Sequence, residues 1–135
     1  MKLVTQIHTS RALPHFEKNF QEKWGLRKYD NPNEPAVFFG MYDQDDVNLF
    51  VNHNSTRIMV FGGNDMHPPQ LQIVKHFVDM GQCFISNPKG EFSDTLTKFK
   101  IPHKQFYLAV KDYSLFQPTS KGENIYVYIG QPDNI

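Results

Sequence analysis

The chain has 135 residues, with 14 basic and 14 acidic side chains and a formal net charge of zero. Its length fits one domain, and its 39% hydrophobic and 21% charged residues are typical of a globular protein. Balanced charge argues against a nucleic-acid partner, because counterion release needs clustered lysines and arginines. The single cysteine, Cys83, allows no disulfide within the chain, and no apolar run reaches the ~18 residues of a membrane span, so we expect a cytoplasmic protein.

Segments typical of strands and of helices alternate along the chain. The segment KLVTQI (2–7) predicts a first strand, and an aromatic stripe in 13–26 predicts a helix that begins near Pro14. The segment 27–35 is rich in Asn, Pro and Asp and predicts a loop. The apolar run at 36–42 predicts a second strand, whose consecutive apolar residues are typical of a sheet covered on both faces.

The same alternation continues to the end of the chain. Asp43 is a candidate N-cap for the helix that follows the second strand. Further strands are predicted at 55–63, 82–86, 103–110 and 124–130, and further helices at 68–81 and 91–100. Such alternation indicates right-handed crossovers between parallel strands. We therefore expect an α/β fold, a three-layer Rossmann-like domain with a mainly parallel sheet of about five to six strands.

In a sheet of this type, ligands bind beyond the carboxyl ends of the strands, so the loops after the strands should line one edge. His8 follows the first predicted strand. There a neutral imidazole either acts as a general base toward a hydroxyl group or hydrogen-bonds a neighbouring loop. Asp65 follows the third predicted strand, and it orients a substrate hydroxyl, assists His8 or caps the next helix; we expect capping.

The candidate binding residues share a position at the ends of predicted strands: Gly40, Met41, Gly62, Gly63, Asn64, Ser86 and Asn87. Glycine suits a ligand that passes over bare backbone amides, but for any single glycine a tight turn from strand to helix is the favoured explanation. No two histidines have the spacing of a metal site and Cys83 has no cysteine partner, so we predict no metal. The glycine fingerprints of dinucleotide-binding and P-loop proteins are absent from the sequence.

Four motifs taken in order resemble a known family. They are EPAVFFGMYDQDDVNLFVNH (34–53), RIMVFGGNDM (57–66), FISNP…LTKFKIPHKQFYLAV (84–110) and KGENIYVYIG (121–130). Their order and spacing resemble those of GT-B-type glycosyltransferases, which have two Rossmann-like domains, and most of all members found in phages and marine microbes. The resemblance runs over most of the chain, although Phe61 stands where a Trp is commoner.

This resemblance implies transfer of a sugar from a nucleotide-sugar donor to the hydroxyl of a sugar or glycan acceptor. It implies that residues 1–118 form the acceptor-side N-terminal domain, and that 119–135 form a linker and a final strand that begins a second domain. Because the C-terminal domain of such enzymes holds the donor, we expect a truncated half that binds no cofactor and is inactive alone. His8 resembles in location the base of some inverting members, and Asp65 lies on another cleft-edge loop, so both are catalytic candidates.

A different interpretation is a stand-alone α/β binding or interaction module. Its last predicted strand would complete the sheet or pair with another chain, and a homodimer would cover apolar surface that a missing C-terminal domain leaves bare. The sequence therefore leaves two function classes open, an enzyme half and an interaction module.

Overall fold

Six strands and four α-helices make up the computed structural model, which describes residues 4–87 and 90–105, and a helix separates each pair of successive strands except the second and the third. The strands are β1 (Gln6–Thr9), β2 (Arg27–Lys28), β3 (Ala36–Phe39), β4 (Arg57–Val60), β5 (Cys83–Asn87) and β6 (Lys104–Gln105). The helices are α1 (Pro14–Trp24), α2 (Gln44–Asn52), α3 (Pro68–Asp79) and α4 (Glu91–Lys98). All strand pairs are parallel, which confirms the predicted α/β, Rossmann-like fold class.

The strand order is β2-β1-β3-β4-β5-β6. The chain moves in one direction from β1 to β2 and in the other direction from β3 onward. Right-handed crossovers therefore place α1 on one face of the sheet and α2, α3 and α4 on the opposite face. The switch in direction lies between β1 and β3, which is where open α/β sheets form their ligand crevice.

Two hydrophobic clusters on opposite faces of the sheet match this arrangement. Adjacent residues of a strand point to opposite faces. Accordingly, Phe38 and Met59 belong to the cluster that includes α2, α3 and α4, while Phe39 and Val60 belong to the cluster that includes α1. In the second cluster the ring of Phe20 meets that of Phe39 edge-on, with the centroids 5.1 Å apart. The sheet therefore forms the middle of three layers.

Two predictions near the N-terminus differ from the structure. The first strand is shifted relative to 2–7, because its register with β3 continues through His8 opposite Phe38. His8 therefore lies within β1, not after it. The segment 27–35, predicted as a loop, contains β2, whose two exposed residues carry no apolar pattern that would reveal a strand.

The helix predictions agree with the structure. α1 begins at Pro14 and is followed by Gly25, whose φ of 65° is left-handed and suits glycine. Asp43 caps α2, as predicted, by accepting a hydrogen bond from the amide of Asp46 at 2.9 Å. The strand predicted at 103–110 is described only as far as β6, and the strand predicted at 124–130 and the proposed boundary near 118 lie outside the described residues.

A buried arginine closes the C-terminal end of α2. Arg57 is 2% exposed, and its guanidinium donates hydrogen bonds to the carbonyls of Phe50 at 2.7 Å, of Val51 at 3.3 Å and of His53. It also lies over the ring of Phe77, 3.9 Å from the centroid. Burial lowers the pKa of Arg57, but the negative end of the helix dipole favours its charge. These contacts fix α2 relative to β4.

No helix in the described parts of the chain combines the length and the apolar character needed to cross a membrane.

Candidate functional site

Two buried carboxylates hold the loop that follows β3, at the switch in strand order. The amide of Met41 donates to Oδ2 of Asp65 at 2.8 Å. The next two amides of the loop, those of Tyr42 and Asp43, donate to Oδ2 of Asp46 at 2.9 and 3.2 Å. Asp46 and Asp65 are 3% and 1% exposed. The backbone at the predicted ligand edge is therefore fixed by charge-assisted hydrogen bonds.

The Asp46 carboxylate also joins α2 to β1. Nε2 of His8 lies 2.7 Å from Oδ1 of Asp46, and the Ser10 hydroxyl donates to Oδ2 at 2.6 Å. The amide of Ala12 donates to Oγ of Ser10 at 3.3 Å. The sequence left His8 either as a general base or as a hydrogen-bond partner of a neighbouring loop, and in the structure its partner is instead a side chain of helix α2.

The protonation of this cluster follows from the hydrogen bonds that Asp46 accepts. Burial by itself raises the pKa of Asp46, but hydrogen bonds from His8, Ser10 and the amides of Tyr42 and Asp43 outweigh it and lower the pKa to about 2. An ionised carboxylate only accepts hydrogen bonds, so Nε2 of His8 carries a proton. In the neutral ring Nδ1 then keeps its lone pair, and no other described side chain hydrogen-bonds it. The His8 side chain is 17% exposed.

Asp65 closes the turn after β4. Its Oδ1 accepts hydrogen bonds from the amides of Gly62 at 3.0 Å and of Gly63 at 2.9 Å. The expectation that Asp65 caps the next helix is wrong, because the N-cap of α3 is His67 and no side chain caps that end. The turn, in which Met66 N–H bonds the carbonyl of Gly63 at 3.3 Å, carries the chain past Asp65 before the helix begins.

The glycines after β3 and β4 face side chains of the protein itself. A Cβ at Gly62 would lie 2.5 Å from the Tyr42 hydroxyl oxygen and 2.8 Å from Cδ1 of Leu13. A Cβ at Gly40 would lie 2.9 Å from Cβ of Ser10, and its φ of 91° is left-handed. Burial, followed by the charge of Asp65, raises the pKa of Tyr42 to about 12, so the phenol stays protonated. Close packing therefore explains both glycines.

The rim of this edge is acidic. Arg11 forms ion pairs with Asp43 at 3.0 Å and with Asp45 at 3.2 Å, and all three groups are at least partly exposed. Together with the buried Asp46 and Asp65, the rim and its floor carry four carboxylates. Within residues 4–87 and 90–105, no group of three His, Cys, Asp or Glu side chains could hold a metal ion.

The structure brings together part of the predicted site. Met41, Gly62 and Gly63 share the Asp65 carboxylate through their amides, and Met41 has its side chain in the core. The remaining predicted positions lie at other points of the same edge: Gly40 directly follows β3, Asn64 is exposed in the turn after β4, and Ser86 and Asn87 end β5. No hydrogen bond among the described side chains joins His8 to Asp65.

Sequence reasoning missed Asp46, Ser10 and Tyr42. The spacing of Asp43 and Asp46 is that of a capping box, which the structure contains, and this was the available signal for Asp46. Nothing in the sequence indicates that His8 and Asp46, separated by 38 positions, come together.

Comparisons of this chain with protein-family models, with curated proteins and with solved structures find no match.

Proposed function

We propose that this chain is the acceptor-side domain of a glycosyltransferase, and that His8, oriented by Asp46, is its general base. The observation that carries the proposal is the 2.7 Å contact of His8 Nε2 with a buried, ionised carboxylate beside the switch in strand order. A carboxylate in this position selects the tautomer of the imidazole and stabilises the imidazolium that forms when the ring takes up a proton.

The proposed step is a direct displacement at the anomeric carbon of a nucleotide sugar. The acceptor hydroxyl forms the new bond to that carbon, and the nucleoside diphosphate leaves with the electrons of the bond that breaks. The hydroxyl proton passes to Nδ1 of His8, while Nε2 keeps its hydrogen bond to Asp46. General-base assistance of this kind contributes about 10²- to 10⁴-fold in rate.

The acidic rim supports an acceptor site in preference to a donor site. Asp43 and Asp45 surround the single cation Arg11 on the described part of this rim. A diphosphate placed there would be repelled by carboxylates, whereas neutral hydroxyl groups would find hydrogen-bond acceptors. In this proposal the nucleotide-sugar donor is therefore bound outside the edge described here.

The proposal is tested by adding neutral sugars and, separately, uridine diphosphate to isotope-labelled protein and following its amide resonances. We expect the sugars to shift residues 8–12 and 62–67 and the diphosphate to leave them unchanged. His8→Gln should slow transfer about 10²- to 10⁴-fold in an assay supplied with nucleotide-sugars, acceptors and a donor-binding domain. His15→Gln, an exposed histidine of α1, is the matched control. Diphosphate binding at this edge, or sugars that never perturb it, would overturn the assignment.

The second candidate is an interaction module, and the exposure of Phe84 favours it. Phe84 lies in β5 between Cys83 and Ile85, which are both buried in the cluster on the other face. Its own side chain is 62% exposed, although parallel sheets are ordinarily covered on both faces. In this candidate the uncovered ring is the point of contact with another chain.

Sedimentation at several protein concentrations tests this candidate. A self-associating module should show a dimer that Phe84→Ser abolishes, while Val51→Ser, which replaces an exposed apolar residue of α2, leaves the dimer intact. A protein that stays monomeric at every concentration would contradict the homodimer.

A further inference from the structure

A groove runs along α2 on the side of the loop between β2 and β3, and it shares Asp45 with the acidic rim. Its volume is about 670 Å³, within the range of small-molecule sites. The lining residues come from α2 and from the loop between β2 and β3: Tyr29, Pro32, Asp45, Asn48, Leu49 and Asn52. We propose that this groove binds a neutral carbohydrate, whether or not the chain transfers sugars.

The loop wall of the groove is held in place before any ligand binds. The buried Gln6 amide nitrogen donates to the carbonyl of Asn31 at 2.6 Å and of Glu34 at 2.9 Å, and its oxygen accepts from the amides of Asp30 and Asn31, both at 3.1 Å. A side chain that makes four such bonds fixes the loop on the sheet. A rigid wall lowers the entropy that binding costs.

The loop wall is also tied to the end of α2. The Tyr29 hydroxyl lies 3.0 Å from Nδ1 of His53, and the amide of Asn54 donates to the carbonyl of Pro32 at 2.8 Å. Burial, followed by the charge of Arg57, lowers the pKa of His53, which favours the neutral ring, and the Tyr29 hydroxyl and Nδ1 share a hydrogen bond in either tautomer. The Tyr29 ring therefore has a fixed orientation at the side of the groove.

The helix wall offers hydrogen-bonding groups at helical spacing. Asn48 and Asn52 are four residues apart and lie on one side of α2. The oxygen of Asn48 accepts a hydrogen bond from Gln44 at 2.9 Å, which leaves its amide hydrogens for a ligand, and Asn52 is exposed. An amide presents a donor and an acceptor side by side, as adjacent hydroxyl groups of a sugar require.

The chemistry of the lining selects a neutral, polyhydroxylated ligand. Tyr29, Pro32 and Leu49 supply apolar surface against which the C–H face of a sugar ring packs. Among the described lining residues the one ionic group is Asp45, which pairs with Arg11, so none of these residues is a cation for a phosphate or a carboxylate. A small-molecule site usually has a mostly apolar wall that carries a few polar groups.

The test is an amide-resonance titration of labelled protein with maltotriose, cellotriose and triacetylchitotriose. We expect at least one trisaccharide to shift residues 29–32 and 48–52 saturably, with a dissociation constant of about 1 mM. Asn48→Ala with Asn52→Ala should weaken binding about fivefold or more through the lost hydrogen bonds. Because alanine favours helix over asparagine, this variant should stay folded. Gln72→Ala, an exposed amide on α3, is the matched control.

The outcomes separate this inference from the proposed function, because shifts at residues 8–12 and 62–67 report on the His8 edge alone. Trisaccharides that shift none of the groove residues would overturn the inference. Shifts that survive unchanged in the double-alanine variant would also overturn it, since the amides of α2 would then play no part.

Discussion

Replacing Asp46 by asparagine tests whether its charge stabilises the switch-point loop. Asparagine keeps the shape and an oxygen for the loop amides, and its amide can donate to Nε2 of the other His8 tautomer. The substitution therefore removes mainly the charge. The pKa of Asp46 falls from 3.8 to about 2 in the folded protein, for a side chain 2% exposed. A pKa change of one unit corresponds to about 1.4 kcal/mol. Ionised Asp46 therefore contributes about 2 kcal/mol to the free energy of unfolding.

The sign of the pH dependence follows from the direction of this shift. A depressed carboxyl pKa gives stability that is fully present above the unfolded value of 3.8 and is lost as pH falls toward about 2. Near pH 7 we expect Asp46→Asn to lower the free energy of unfolding by about 2 kcal/mol, and by only about half as much near pH 3. Urea unfolding of both proteins at the two pH values measures the difference.

Asp45→Asn supplies the control for this experiment. Asp45 lies next to Asp46 in the same helical turn, but its side chain is 71% exposed and, among the described residues, pairs with the exposed Arg11. Exposed ion pairs contribute little to stability, so this variant should unfold like the wild type. Equal effects of the two substitutions, or an Asp46→Asn effect that is the same at both pH values, would refute the reasoning.

Three further predictions concern packing and buried groups. Gly62→Ala should lower the free energy of unfolding by about 1–3 kcal/mol, because the new Cβ would lie 2.5 Å from the Tyr42 hydroxyl oxygen. This loss should be smaller when the substitution is made in a Tyr42→Phe background. Arg57→Met should cost about 2–4 kcal/mol in urea unfolding, since three carbonyls at the end of α2 lose their buried donor; an unchanged midpoint would contradict that role. Cys83 is 2% exposed and burial raises its thiol pKa to about 12, so a disulfide reagent near neutral pH should label it only as fast as the protein opens; rapid labelling of folded protein would contradict this.

The fold class could be predicted because its signals are local. The aromatic stripe ending at Trp24, Pro14 at the start of α1 and the N-cap Asp43 each act within a few positions. β2 could not be predicted, because its strand character comes only from hydrogen bonds with β1, such as Tyr29 N–H to the carbonyl of Ile7 at 2.9 Å. A two-residue edge strand has no periodicity of its own.

The position of His8 shows how a strand boundary affects the prediction of a site. The apolar run of the first strand stops at Ile7, so His8 was expected in the following loop. Pairing with β3 instead extends the strand to Thr9 and directs His8 toward the face that α2 covers. The partner of His8 therefore comes from a helix and not from a loop, and only the three-dimensional fold could identify it.

The hydrogen bonds that Asp65 and His8 already make distinguish these two catalytic candidates. The Asp65 carboxylate makes four contacts with the amides of Met41, Gly62 and Gly63, and it is 1% exposed. These contacts come from three amide donors, one of them shared between both oxygens, and with about four lone-pair sites on a carboxylate it is the burial of Asp65 that keeps a substrate hydroxyl away. Nε2 of His8 is hydrogen-bonded to Asp46, whereas Nδ1 remains for a substrate, and the His8 side chain is 17% exposed. We therefore assign the chemistry of the proposed site to His8 and the shape of its loops to Asp65.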